Sequence, residues 1–439
     1  MNLRPALWVA AGALIALAAW PIVFEATAAP AAAFTPAPVT ADYLTRNRLI
    51  SFQEGILRSH PSDQITQRML ALQYLQRFRE QGDIGDVTRA EHVAERSIRL
   101  QPQGNTAAQM ALASADLDYH QFRAALVRER AALAGEPFND NARAQIASLQ
   151  MELGEYGAAR ATLAAIRPGG PENPTVEAVA ARLDELTGHL DRARALVGNA
   201  IEVMDSNFES PAYDRSWYHV RAGQLAFEAG DAGAVRREFA EALRIDPQNY
   251  LAMLFAARAC RAVKDWTCTL DMATQSADIY PLPQALGYKA DAQRALGDAA
   301  GAAQTDALIG AEQRLFNVQG INDRLLANYY AERGVHLDVA LRAARSDYAK
   351  RGDEIYADDT LAWVLAARGQ WQQARVFAVR ATRLGTQDPE LQYHAAIIAL
   401  HSGHAAEARQ RFGLALAENP QFHPVYADEA REEATTESR

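Results

Sequence analysis

Two cysteines and three histidines are the residues whose types and spacing are the first to consider for chemistry. Cys260 and Cys268 lie in ACRAVKDWTCTL and are the only cysteines in the chain. The first stands near the end of one helical pattern and the second just after the turn into the next. Antiparallel helices bring such positions together, and an oxidising compartment permits the bond. A disulfide stapling one hairpin is therefore the expectation, with two buried free thiols as the alternative. His394 and His401 are seven apart and share one helical face, and His404 follows the Ser402-Gly403 turn. Three imidazoles suggest a metal, but no carboxylate or fourth histidine is placed with them. The expectation is no metal, with His394, His401 and His404 as the candidates to test. Gly-x-Ser-x-Gly, Gly-Lys-Ser/Thr, His-Glu-x-x-His and a dinucleotide fingerprint are all missing from the sequence. Catalytic residues and cofactors are accordingly expected to be none, and the chain is expected not to be an enzyme.

The elements that must position these residues follow a ruler. In SWYHVRAGQLAFEAGDAGAVRREFAEALRIDPQNY, Ser216 to Tyr250, a helix pattern meets a Gly-Asp turn. A second helix then runs to the Asp246-Pro247 stop. The turn position recurs at His120, Gly154, Gly188, Gly230, Lys264, Gly297, Gly334, Gly369 and Gly403, 33 to 37 residues apart except for 42 before Gly230. A looser turn at Gly82 to Asp86 brings the count to ten units, the first with helices expected over Ile65 to Gln81 and Ala90 to Leu100. Seven residues before each recurring turn lie Ala113, Ala147, Ala181, Gly223, Ala257, Ala290, Ala327, Ala362 and Ala396. Five residues after lie Ala125, Ala159, Ala193, Val235, Thr269, Ala302, Val339, Ala374 and Ala408. Small residues at fixed register mark places where two helices cross closely, because native packing density leaves no room there. The aromatics two beyond the turn (Phe122, Tyr156, Trp266, Trp371) read as core wedges.

Gly223, Gly230, Phe239, Ala242 and Pro247 fall where the tetratricopeptide repeat pattern places them, at its period of about 34 residues. The chain resembles that family from about Ile65 to Phe422, and its C-terminal part, with YADDTLAWVLAARGQWQQA and YHAAIIALHSGHAAEARQRF, looks most like the arrays of exported bacterial members. The resemblance implies an all-α fold, a right-handed α-solenoid of about ten helical hairpins. It also implies that the first helix of each unit lines a concave groove. Exposed positions there give Arg258, Arg261, Tyr288, Asp291, Arg294, Arg324 and Asn328 as a candidate peptide-binding row. Arginine grips a carboxylate with two parallel hydrogen bonds, so the row suits an acidic or C-terminal peptide segment. The family's carboxylate-clamp members use a set of lysines and asparagines that this chain does not reproduce. The alternative is a solvated face whose arginines pair with Asp291 and neighbouring acids. The insertion before Gly230 adds Phe208, Tyr213, Trp217 and Tyr218, which suit either partner contact or packing of a longer helix.

The remaining stretches set boundaries and compartment. Met1 to Arg4 is basic, and Pro5 to Phe24 is twenty residues without a charge. Ala-x-Ala sites follow at Ala26 and Ala31, so residues 1–28 read as a cleaved signal peptide or an uncleaved membrane anchor. Residues 29–41 are a Pro/Ala-rich linker, 42–64 a capping helix, 65–425 the array and 426–439 a polar C-terminal tail. Either reading exports the rest of the chain to the periplasm or beyond. A net charge of -10 and a pI near 5.6 argue against non-specific nucleic-acid binding. The expected partner is a protein or peptide, with no nucleic acid, and with membrane contact only through an uncleaved N-terminus. The expected function is an exported scaffold holding that partner in its groove. Alternatives are a membrane-tethered structural subunit of an envelope assembly and an accessory metal-binding protein.

Overall fold

Each hairpin turn depends on one residue in the left-handed backbone region, which reverses the chain between two antiparallel helices. Gly82, Gly154, Gly188, Gly230, Gly297, Gly334, Gly369 and Gly403 all have φ between 64° and 89°. His120 and Lys264 adopt the same conformation at φ 56° and 61° despite their side chains. These are the ten positions that the 34-residue ruler marks.

The computed structural model describes residues 41–435 except 167–171, 208, 317–320 and 322. They hold 22 helices. Helix α1 (Ala41–Ser59) caps the array. The hairpins follow as α2 (Gln64–Gln81) with α3 (Ile84–Leu100), α4 (Thr106–Asp118) with α5 (Phe122–Gly135), and α6 (Asp140–Glu152) with α7 (Tyr156–Ala164). Next come α8 (Pro174–Leu186) with α9 (Leu190–Ser206), α10 (Ala212–Glu228) with α11 (Ala232–Ile245), and α12 (Tyr250–Ala262) with α13 (Trp266–Ile279). The last four pairs are α14 (Pro283–Ala295) with α15 (Ala299–Phe316), α16 (Asp323–Arg333) with α17 (Leu337–Arg351), α18 (Ile355–Ala367) with α19 (Trp371–Ala381), and α20 (Pro389–His401) with α21 (Ala405–Glu418). Helix α22 (Tyr426–Thr435) closes the other end. The architecture is all-helical, with ten consecutive hairpins between two single helices. No helix among the described residues is long and apolar enough to cross a membrane.

Caps explain the boundaries. The Asp63 carboxylate accepts from the backbone N–H groups of Ile65 and Thr66, Asp388 accepts from those of Glu390 and Leu391 at α20, and the Asn249 Oδ1 accepts from the Ala252 N–H at α12. In the first unit Asp83 caps Gly85, so α3 starts at Ile84 rather than at Ala90 as expected. All nine small residues before the turns are buried. Eight of nine after the turns are buried too, the exception being Val339. There His336 adopts a second left-handed conformation after Gly334 (φ 48°), α17 starts one residue late, and Ala340 takes the crossing position at 0% exposure. The polar stretch from Tyr426 is helical, with Ala427 and Ala430 buried against Phe412 and Phe422.

The array also touches itself far along the chain. The turn of the third unit meets the linker after the eighth, where a Cβ on Gly154 would overlap the Asp353 backbone. Gly188 meets Gly385, Gly230 meets Glu418, and Gly82 meets the Tyr280 ring in the same way. Hydrogen bonds seal these seats. The Ile355 N–H donates to the Tyr156 hydroxyl (2.9 Å), and the Asn419 amide donates to the Phe227 carbonyl (2.6 Å). One apolar cluster joins Ala147, Tyr156, Leu183 and Leu186 to Ile355, Ala381 and Leu391. Phe122 and Tyr156 thus serve contacts beyond their own hairpin; Trp266 and Trp371 are only half-buried.

These seats separate two roles of glycine. Gly403→Ala, with φ 84° and open space around it, is expected to cost about 1–2 kcal/mol for the left-handed backbone alone. Gly188→Ala carries the same strain and also drives a methyl group into the Gly385 carbonyl. Thermal denaturation of the two variants should show at least twice the loss for Gly188→Ala; equal losses would mean that the distant seat contributes nothing.

Candidate functional site

The first helices of units six to ten and the closing helix converge on one cavity of about 90 Å³. Arg261 comes from α12, Tyr288 from α14, Asn328, Glu332 and Arg333 from α16, Trp363 from α18, and Glu390 and His394 from α20. His423 and Tyr426 complete the lining from the C-terminal end. Three members of the expected peptide-binding row, Arg261, Tyr288 and Asn328, stand here together. Arg258 and Asp291 stand directly behind the wall, bonded to residues in it.

The charges around the cavity are paired within the chain. Asp291 accepts from Arg261 Nε at 2.9 Å, from Arg333 at 2.6 Å and from Arg294 at 3.0 Å. Glu332 bonds Arg261 and accepts from His423 Nε2 at 3.0 Å and Arg333 at 3.3 Å. Burial pushes the Glu332 carboxyl up, yet Arg261, His423 and Arg333 outweigh it and hold the group well below the usual carboxylate range. Glu390 meets Arg258 at 3.2 Å, with the same balance and the same direction of shift. Arg324 belongs to a neighbouring network, on Asp347 at 3.0 Å and Glu354 at 2.6 Å. Arg294 also bonds Asp306 and is the most exposed arginine of the row, at 42%. The four arginines and Asp291 of the row are thus ion-paired within the chain, although Arg258, Arg261 and Arg324 are part-buried or buried where the alternative expected a solvated face.

The three candidate histidines are not brought together. His394 is buried, stacked on Trp363 at 4.1 Å, with Nδ1 3.0 Å from Asp359. Burial lowers its pKa, but Asp359 more than compensates and the net shift is upward. His401 stacks on Trp371 at 4.1 Å, and His404 Nδ1 lies 3.0 Å from the Ser402 carbonyl. Among the described residues no group of three or more His, Cys, Asp and Glu is placed to hold a metal ion. The sulfurs of Cys260 and Cys268 are bonded across the α12–α13 hairpin, with Cα atoms 5.9 Å apart. Of the inserted aromatics, Tyr213 and Tyr218 are buried and Trp217 meets Tyr218 edge-on at 5.0 Å; Phe208 lies outside the described residues.

Several lining residues escaped sequence reasoning, although the ruler reaches two of them. Arg258, Asp291, Asn328 and Trp363 each stand six residues before a turn, and Tyr288 and His394 stand nine before. Extending the row into units nine and ten would have found Trp363 and would have placed His394 on the inner face. His423 is different, because it lies past the last hairpin. Its Nδ1 accepts from the Val425 and Tyr426 N–H groups, which leaves the proton on Nε2 for Glu332.

Pairing makes a sharp prediction. Arg261→Ala would strand Asp291 and Glu332 without their main partner and is expected to cost about 3–5 kcal/mol of stability. Arg294→Ala, removing a more exposed partner, should cost less than about 1 kcal/mol. Chemical denaturation of both variants checks this; an Arg261→Ala protein as stable as the parent would show that the network is not structural.

Residues 116–183 match the family model described as tetratricopeptide repeat. No curated protein matches the chain. Among solved structures, yeast Tom70 is similar at 12% identity and a TM-score of 0.35, over 90% of this chain and 97% of that one. The APC/C hetero-tetramer Cut9-Hcn1 is similar at 12% identity and a TM-score of 0.32, over 90% and 95%. Naa15/Naa10 bound to HypK-THB follows at 14% identity and a TM-score of 0.28, over 89% and 65%. Residues 116–183 thus match a tetratricopeptide repeat, and the ten hairpins of the described residues share its turn register.

Proposed function

We propose that this protein is an exported scaffold that holds a protein or peptide partner on the inner face of its last five units. The observation that carries the proposal is the lined cavity, where aromatic rings and a part-exposed carboxylate meet. Tyr288, Trp363 and Tyr426 supply apolar walls, and the Glu390 side chain keeps 32% exposure. A stiff array presents such a surface already formed, so association orders little of it. An acidic peptide gripped by the arginine row would have to displace the carboxylates already there. The contact is therefore assigned to the cavity and its rim, with the arginines holding the wall. Export is supported by the basic start, the apolar stretch Pro5 to Phe24, the Ala-x-Ala sites and the bonded Cys260–Cys268 pair.

One observation favours the tethered structural subunit as a second reading. Leu49 and Phe52 on α1, and Ile65, Met69 and Leu72 on α2, are exposed at the N-terminal end of the array. Phe52 alone is 66% exposed. Such residues suit a contact made through the end of the solenoid rather than its inner face.

A photocrosslinking amino acid placed at Leu325, which lines the cavity, or at Phe52, in the full chain in its native cell envelope, separates the readings. The scaffold reading expects a protein adduct from Leu325 and none from Phe52. Adducts from Phe52 alone would transfer the function to the end surface, and adducts from neither would end both.

A further inference from the structure

Three buried polar atoms around the cavity have no partner among the described residues: Arg333 Nε, Asn328 Oδ1 and the Tyr426 hydroxyl. All three residues line the same space. Buried polar groups in native proteins are almost always satisfied, so three orphans on residues that line one cavity describe a group that the chain does not supply. Their types narrow it. Arg333 Nε–H only donates, Asn328 Oδ1 only accepts, and a tyrosine hydroxyl does either. The missing group must therefore both accept and donate.

Charge narrows it further. Glu332 is already bonded to Arg261, Arg333 and His423, and Arg333 is bonded to Asp291 and Glu332. An added full charge of either sign would be buried without a counterion of its own. A carboxylate would offer Asn328 no donor and would set a third anion beside Glu332 and Glu390. An ammonium would offer Arg333 Nε no acceptor. Size and shape complete the description. A cavity of roughly 150 Å³ accepts benzene, so one of about 90 Å³ has room for about four non-hydrogen atoms. The rings of Tyr288, Trp363 and Tyr426 favour a flat group.

We propose that the cavity is a binding pocket for one primary carboxamide. Its oxygen accepts from Arg333 Nε–H and the Tyr426 hydroxyl. Its NH2 donates to Asn328 Oδ1 and to the Glu390 carboxylate. The carboxamide is carried either by free glutamine or asparagine or by such a side chain on a peptide; only the second source rests on the scaffold reading above.

Calorimetric titration of the full-length protein tests this with acetamide, L-glutamine, L-glutamate and two tripeptides capped as acetyl and N-methylamide, Gly-Gln-Gly and Gly-Glu-Gly. Glutamine in at least one carrier is expected to bind at least tenfold more tightly than the matching glutamate. Tyr426→Phe, which removes only the orphan hydroxyl, should weaken that binding about tenfold while leaving the melting temperature in place. Asn328→Leu should abolish it, and Asn328→Asp should not restore it. Binding of free glutamine but not the peptide assigns the free source, and the reverse assigns the peptide. The proposal is overturned if no carboxamide binds at millimolar concentration, if glutamate binds equally well, or if ordered water alone fills the pocket in crystals grown with acetamide. A partner crosslinked from Leu325 with no glutamine binding would sink the pocket and spare the scaffold; glutamine binding without any adduct would do the opposite.

Discussion

The carbonyl of Gly385 lies where a side chain on Gly188 would have to be, and much of the structure depends on that closeness. Tandem hairpins need only their neighbours to bury an apolar face. Here the turns of early units also sit on the linkers of later ones, backbone against backbone, at Gly154, Gly188 and Gly230. Glycine is needed at these turns for its left-handed φ and again for its missing Cβ. In units seven to ten the turn glycines have open space around them, so only the first need applies.

Winding this close takes the inner face away from water. Side chains that would be solvated in an open groove are buried among one another, and a buried charge persists only when paired and hydrogen-bonded. Arginine suits this, because its planar fork reaches two carboxylates at once. Arg261 spans Asp291 and Glu332, and Arg324 spans Asp347 and Glu354. Aromatic faces take part as well, with Arg261 5.2 Å from the Tyr288 ring centre and Arg333 4.2 Å from that of Tyr329. The chain has only three lysines, none of them in the cavity wall.

What the sequence made legible was local in register. Turn positions and crossing residues recur at about 34 residues, so a pattern read along the chain finds them, except at the one-residue slip after His336, which moves the crossing from Val339 to Ala340. The inner row was equally visible as a row. Its partners were not, because Arg258 pairs with Glu390 and Glu332 with His423, across intervals that no repeat period marks. Those intervals depend on how tightly the array winds, a sum of small rotations at each unit that no single residue type announces. His394 shows the same limit. Its spacing from His401 made the two rings candidates to test for a metal against an expectation of none, and no spacing announced that each ring stacks on a tryptophan of the preceding unit.

A filled inner face changes what recognition by such an array involves. An open groove of arginines would bind acids by long-range attraction, with affinity falling as salt rises. Once the arginines are committed to Asp291, Glu332, Glu390 and Asp347, their field is largely cancelled at short range, and the chain's own negative charge dominates at a distance. In the pocket proposed above, selectivity would come from shape and from Arg333 Nε, Asn328 Oδ1 and the Tyr426 hydroxyl, the lining atoms left without partners. On that proposal, the ion pairs that occupy the groove leave a space that would discriminate by hydrogen-bond pattern rather than by charge.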